Sequence, residues 1–94
     1  MQIRSRAKLW KYEGPASWYF ITLPTKTSDE IQKSQVHKSS WGIVRVQATI
    51  GTSTWKTSLF RDTKRNAYLL PIKKDIRTRE NLSDGKTVSF VLTL

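Results

Sequence analysis

The sequence predicts a mainly β protein, a small closed or nearly closed β-barrel with one or two short helices. Three observations predict it. About six short runs either alternate apolar and polar residues or are aromatic and β-branched, with turn chemistry between them. The chain both begins and ends in such a run. Its 94 residues, 37% of them apolar, support one core and one domain over residues 1–94, and closure hides the edges that so small a sheet would otherwise expose.

In order along the chain, Ile3, Ser5, Ala7 and Leu9 alternate with Arg4, Arg6, Lys8 and Trp10, which makes residues 3–12 a strand with one buried face. Gly14-Pro15 breaks it. The aromatic and β-branched run over 17–23 is a second strand, stopped by Pro24 and forming a hairpin with the first. Thr27-Ser28-Asp29-Glu30 fits a capping box, so a helix is expected over about 28–37. Val44, Val46, Ala48 and Ile50 share one face of a strand over 42–50, and Trp55, Thr57 and Leu59 share one face of a strand over 54–60, joined through Gly51-Thr52. A polar turn over 61–66 leads to a short strand over 67–72, whose Pro71 marks an edge or a strand end. Ile72 and Ile76 stand one helical turn apart, which suits a short helix. Asp84-Gly85 then turns the chain into a last strand with Val88, Phe90, Leu92 and Leu94 on one face.

Seventeen Lys and Arg against seven Asp and Glu leave a net charge of +10. Residues 1–40 contribute seven bases and three acids (+4) and residues 41–94 ten and four (+6), so the charge decorates a folded surface and not a tail. Such a surface draws polyanions, either nucleic acid or an acidic protein. With no cysteine, disulfides, thiolate nucleophiles and cysteine metal sites are excluded. The N-terminus lacks the apolar core of a signal peptide and no run approaches a membrane span, so a soluble cytoplasmic protein with no membrane partner is expected. Neither a linker nor a repeat interrupts the chain, which reads as one complete domain.

The runs Trp18-Tyr19-Phe20-Ile21-Thr22-Leu23-Pro24, Val46-Gln47-Ala48-Thr49-Ile50-Gly51 leading to Trp55-Lys56-Thr57-Ser58-Leu59-Phe60, Tyr68 through Arg77, and Gly85-Lys86-Thr87-Val88 together resemble a bacterial and archaeal family known as domain of unknown function 1905. The resemblance covers nearly the whole chain. It implies a barrel of the double-split type, distantly shared with swapped-hairpin transcription factors, in a domain sometimes attached to one linked by name to bacteriocin protection. It implies no activity and assigns no catalytic residue. Two departures stand out: Lys86 follows Gly85 where the family commonly has Asp, and the loop before Tyr68 lacks the family's glycine.

The most suggestive surface is the outward face of the first strand, where Arg4, Arg6, Lys8, Trp10 and Tyr12 line up. Bases track a phosphate backbone and aromatic faces stack nucleobases. The plainer alternative is three solvated bases and two aromatics covering a barrel end. Arg61, Lys64 and Arg65 form a second basic cluster, and Lys73, Lys74, Arg77 and Arg79 a third; these grip phosphates or are simply solvated loops. His37, the single histidine, reads as a helix-end residue that cannot make a metal site alone. Asp29 and Glu30 are assigned to the helix cap, Asp84 to a turn, and Asp62 and Asp75 to surface ion pairs. Trp18, Trp41 and Trp55 read as core or barrel-end fillers.

Only four glycines and one histidine leave no phosphate-binding loop, nucleophile elbow or metal-ligand spacing. No catalytic residue, metal or cofactor is therefore expected. The expected function is a non-enzymatic binding domain that contacts nucleic acid or another polyanion through its basic surface. The alternatives are a protein-interaction or accessory domain of the bacteriocin-protection type, and a small-ligand barrel, which needs a concave pocket.

Overall fold

Alternation along the chain becomes six strands, β1 (Gln2–Lys11), β2 (Tyr19–Thr22), β3 (Ile43–Ile50), β4 (Ser53–Asp62), β5 (Ala67–Pro71) and β6 (Thr87–Thr93), with helices α1 (Thr25–Ser34) and α2 (Lys74–Arg79). The structure, a computed structural model, describes residues 1–14, 17–35 and 42–94. The strands close into an antiparallel barrel in the order β1-β2-β5-β4-β3-β6, with β6 returning to β1. Long strands serve two neighbours with different stretches. β1 pairs with β6 from Gln2↔Thr93 to Lys8↔Thr87, then with β2 from Leu9↔Ile21 to Lys11↔Tyr19. Such a staggered register tilts the strands and lets so few of them close.

Inward positions are those the alternation predicts. Leu9, Ile21, Val44, Val46, Ala48, Leu59, Leu70, Val88, Phe90 and Leu92 are buried in one cluster, with Trp55 and Tyr68. Each fully buried aliphatic side chain contributes roughly 1.5–3 kcal/mol. These side chains fill the interior, so the small-ligand barrel has no internal support among the described residues. β2 and β5 run antiparallel, and the helices that follow them therefore lie at opposite ends of the barrel. Ile31 of α1 and Ile76 of α2, both buried, pack into the core from those two ends.

The helix after β2 starts earlier than the capping-box reading has it. Its first bond runs from the Ser28 N–H to the Pro24 carbonyl (2.9 Å), and no side chain caps it. Thr27 and Ser28 are buried, and their hydroxyls have tertiary partners. Ser28 Oγ accepts from the Tyr68 N–H (3.0 Å) and donates to the Leu23 carbonyl (3.5 Å); Thr27 Oγ1 bonds Ser5 Oγ (3.4 Å). Proline can precede a first turn because its missing N–H is unpaired there anyway. Asp29 and Glu30 are exposed mid-helix residues, not cap members.

Trp55 fills the core as expected, whereas Trp18 is 49% exposed and does not. Asn66 takes the left-handed conformation (φ 51°) in the β4–β5 turn, which asparagine tolerates better than other side-chain-bearing residues. It thereby serves the role that a glycine would have. Readings that involve Pro15, Val36, His37 and Trp41 lie outside the described residues.

Candidate functional site

Closure of the barrel brings β1, β6, β3 and β4 side by side. Their outward positions form a curved wall that wraps the barrel from β1 round to β4, three places away in the ring of six. Register places Arg4 opposite Val91, Arg6 opposite Ser89 and Lys8 opposite Thr87. β6 in turn faces β3 through Thr93↔Gln47 and Val91↔Thr49, and β3 faces β4 through Gln47↔Lys56 and Arg45↔Ser58. Arg4, Arg6, Lys8, Arg45 and Lys56 are all exposed on this wall. From Gln2 to Lys8, Arg45 to Thr49, Thr54 to Ser58 and Thr87 to Thr93, no outward residue is acidic. Two open depressions cross it. One of about 790 Å³ is bordered by Arg4, Arg6, Thr49 and Ser89, and another of about 420 Å³ by Arg45, Gln47, Lys56 and Thr93.

The same outward row of β1 continues into Trp10 and Tyr12, and there the surface changes character. Phe20 of β2 is the hub of an aromatic cluster. Its ring lies 5.3 Å from that of Trp10, meets Tyr12 edge-on at 6.2 Å and stacks on Trp18 at 5.8 Å with only 6° between the planes. Such pairs contribute roughly 0.5–1.5 kcal/mol each beyond burial. Trp10 Nε1 donates to Thr22 Oγ1 (2.9 Å), which fixes the indole against the sheet. Trp18, Tyr12 and Phe60 nevertheless stay 49%, 46% and 39% exposed. With Phe20 and Leu69 they line a depression of about 310 Å³ that is nearly all apolar. Gly14 makes room for Tyr12, because a Cβ there would come within 2.5 Å of its ring.

The second basic cluster does not act as one. Arg61 is half-buried; its guanidinium lies over the Tyr68 ring (5.1 Å) and donates to Asn66 Oδ1. Its Nη1 is buried without a partner among the described residues. Arg65 pairs with Asp62 and rests over Trp10 at 5.0 Å from the ring centre. The hydrogen bond from the Arg65 guanidinium, helped by the backbone N–H groups of Arg65 and Lys64 and opposed by partial burial, holds the Asp62 carboxyl below the usual carboxylate range. Of the three, Lys64 is exposed and its ammonium makes no hydrogen bond or ion pair among the described residues.

In the third cluster Arg77 is spoken for as well. Its guanidinium lies 3.8 Å over the Tyr19 ring and donates to the Ile72 carbonyl (3.0 Å). Lys73, Lys74 and Arg79 are exposed. Asp75, expected in an ion pair, has none among the described residues, where Asp62–Arg65 is the one salt bridge.

Arg4, Arg6 and Lys8 thus stand where the strand periodicity puts them, and Trp10 and Tyr12 join a separate aromatic surface. Arg45 and Lys56 were missing from the sequence-based set. Their outward orientation is legible in the alternation, but their place relative to β1 depends on β6 lying between β1 and β3. Phe60, Phe20 and Trp18 were missed because aromatic residues in strands ordinarily signal core.

Among the described residues no three His, Cys, Asp or Glu side chains gather to hold a metal ion, and no helix is long and apolar enough to cross a membrane. Residues 6–92 match the model of a protein family described as a domain of unknown function (DUF1905). No curated protein matches the chain.

Proposed function

The chain belongs to the DUF1905 family, a name that carries no activity, and we propose from its surface that it is a non-enzymatic binding domain whose β1–β6–β3–β4 wall takes a polyanion, with nucleic acid the ligand. One observation carries the reading: five exposed bases on β1, β3 and β4, with no carboxylate at the outward positions between them or on the intervening β6. Successive outward residues of a strand lie about 6.8 Å apart, within a Debye length of about 10 Å at 0.1 M salt. The fields of Arg4, Arg6 and Lys8 therefore add instead of being screened one by one.

Of the seven acids only Asp62 lies on a strand. Asp29 and Glu30 lie on α1, Asp75 on α2, Glu80 and Asp84 between α2 and β6, Glu13 after β1, and Asp62 is spent on Arg65. Glu80 accepts from Ser53 Oγ (2.6 Å) and so ties the end of α2 to β4. Fluorescence anisotropy with labelled oligonucleotides at two salt concentrations tests the proposal. Binding at low salt that weakens steeply at high salt is expected; absence of binding at low salt refutes it.

A further inference from the structure

We infer that the nucleic acid is single-stranded and that its unpaired bases lie on the aromatic surface around Trp18 and Phe60. This rests on the reading of the basic wall as a phosphate site and names the class of ligand that fits it. The argument is one of continuity. The depression between Arg45 and Lys56 shares Lys56, Thr57 and Ser58 with a further depression of about 380 Å³, which also reaches Trp18, Phe60 and Lys73. That one shares Trp18 and Phe60 with the apolar depression of Tyr12, Phe20 and Leu69. A track therefore runs over the outer face of β4 from bases, through a mixed stretch, to aromatic rings.

A strand laid along this track meets cations first and π-faces next. Only unpaired bases can use the second part, because bases inside a duplex are stacked on one another and offer no face. Trp18 is suited to the task. One side of its indole is covered by Phe20 at a 6° interplanar angle, while 49% of the residue remains exposed. Phe20 in turn packs against Trp10 and Tyr12, so the platform is backed by two further rings.

The surroundings argue against a second copy as the occupant. Lys73 and Lys56 border the Trp18–Phe60 depression, and Arg45 neighbours Ile43 and faces Ser58 on the adjoining wall. A symmetric contact between two chains of charge +10 would bring like charges together, whereas a polyanion neutralises the same rim.

Three probes of equal length separate the possibilities in an anisotropy titration at low salt: a mixed-sequence single strand, an abasic deoxyribose-phosphate strand and a duplex. The intact single strand should bind more tightly than the abasic one by about 5- to 150-fold for each base stacked, and more tightly than the duplex. Trp18→Ala and, independently, Phe60→Ala should each remove a factor of that size for the intact strand and leave abasic binding and its salt dependence unchanged. Trp18→Tyr should retain most of the affinity, and thermal melts establish that each variant is folded. If the abasic strand binds as tightly as the intact one, or both alanine variants bind normally, the stacking inference fails and the wall reading stands. If no probe binds at low salt, both fail. A dimer in light scattering that Trp18→Ala dissociates would assign the patch to a second copy and overturn the inference.

Discussion

Replacing Arg45 and Lys56 together by glutamine should flatten the salt dependence of oligonucleotide binding, because these two residues extend the β1 row across the barrel. The size of the change follows from the wall. Five bases, Arg4, Arg6, Lys8, Arg45 and Lys56, are exposed on it. If a single strand engages all five, the slope of log K against log salt is about −0.7 × 5, or roughly −3.5, and removing two contacts brings it to roughly −2.1. Between 50 and 200 mM salt the unmodified protein should then lose about 130-fold in affinity and the double variant about 18-fold. Anisotropy titrations over that range measure both slopes. Lys26 and Lys33, exposed on α1 and outside the four strands of the wall, supply the control: replacing both by glutamine should leave the slope alone. Equal slopes for the double variant and the unmodified protein, or an equal effect of the α1 control, would refute the idea that the bases act through their position on this wall.

Other outcomes follow from the scaffold. Ser28→Ala leaves the buried Tyr68 N–H without its acceptor and should lower stability by about 1–3 kcal/mol in urea denaturation. At Gly51, with φ 58° and the Glu80 carboxylate occupying the place of a Cβ, Gly51→Ala should cost about 1–2 kcal/mol from the left-handed backbone, and more if the Ser53–Glu80 bond is displaced. The Asp62 carboxyl is more acidic folded than unfolded, so its contribution to stability is present above its unfolded value and is lost below about pH 4. Because the pair is at the surface, the loss should be small. Comparing denaturation midpoints at pH 6 and pH 3 for the unmodified protein and Asp62→Asn checks it: the variant should show the smaller change.

Much of the scaffold is legible in one dimension because a strand's period of two is a local property. Val44, Val46, Ala48 and Ile50 are buried for the same reason they alternate, and Gly51, Asn66 and Gly85 occupy positive-φ turns where turn chemistry would place them. The start of α1 is not legible, because hydroxyl groups at 27 and 28 look alike whether they cap a helix or bond to another strand. Ser28 binds Tyr68, forty positions away, and no local pattern reports such a partner. The three basic clusters suffered from the same limitation. Arg61, Arg65 and Arg77 are adjacent to other bases in sequence, yet each is occupied by an aromatic ring or an acid in space.

The amino-acid order was enough to establish a small β-barrel, an outward row of Arg4, Arg6 and Lys8, and a cationic surface, since these depend on periodicity and composition alone. How the cations are spaced round the barrel was decided by folding. β6, the last strand of the chain, lies between the first strand and β3, and this long-range pairing puts Arg45 two strands and Lys56 three strands round the barrel from the β1 row. It is likewise the closure of β2 and β5 against β4 that gathers Trp18, Phe20 and Phe60 onto one exposed surface. Pairings between distant segments are decided by the balance of the whole closed sheet, and a pattern read over neighbouring residues contains no record of them.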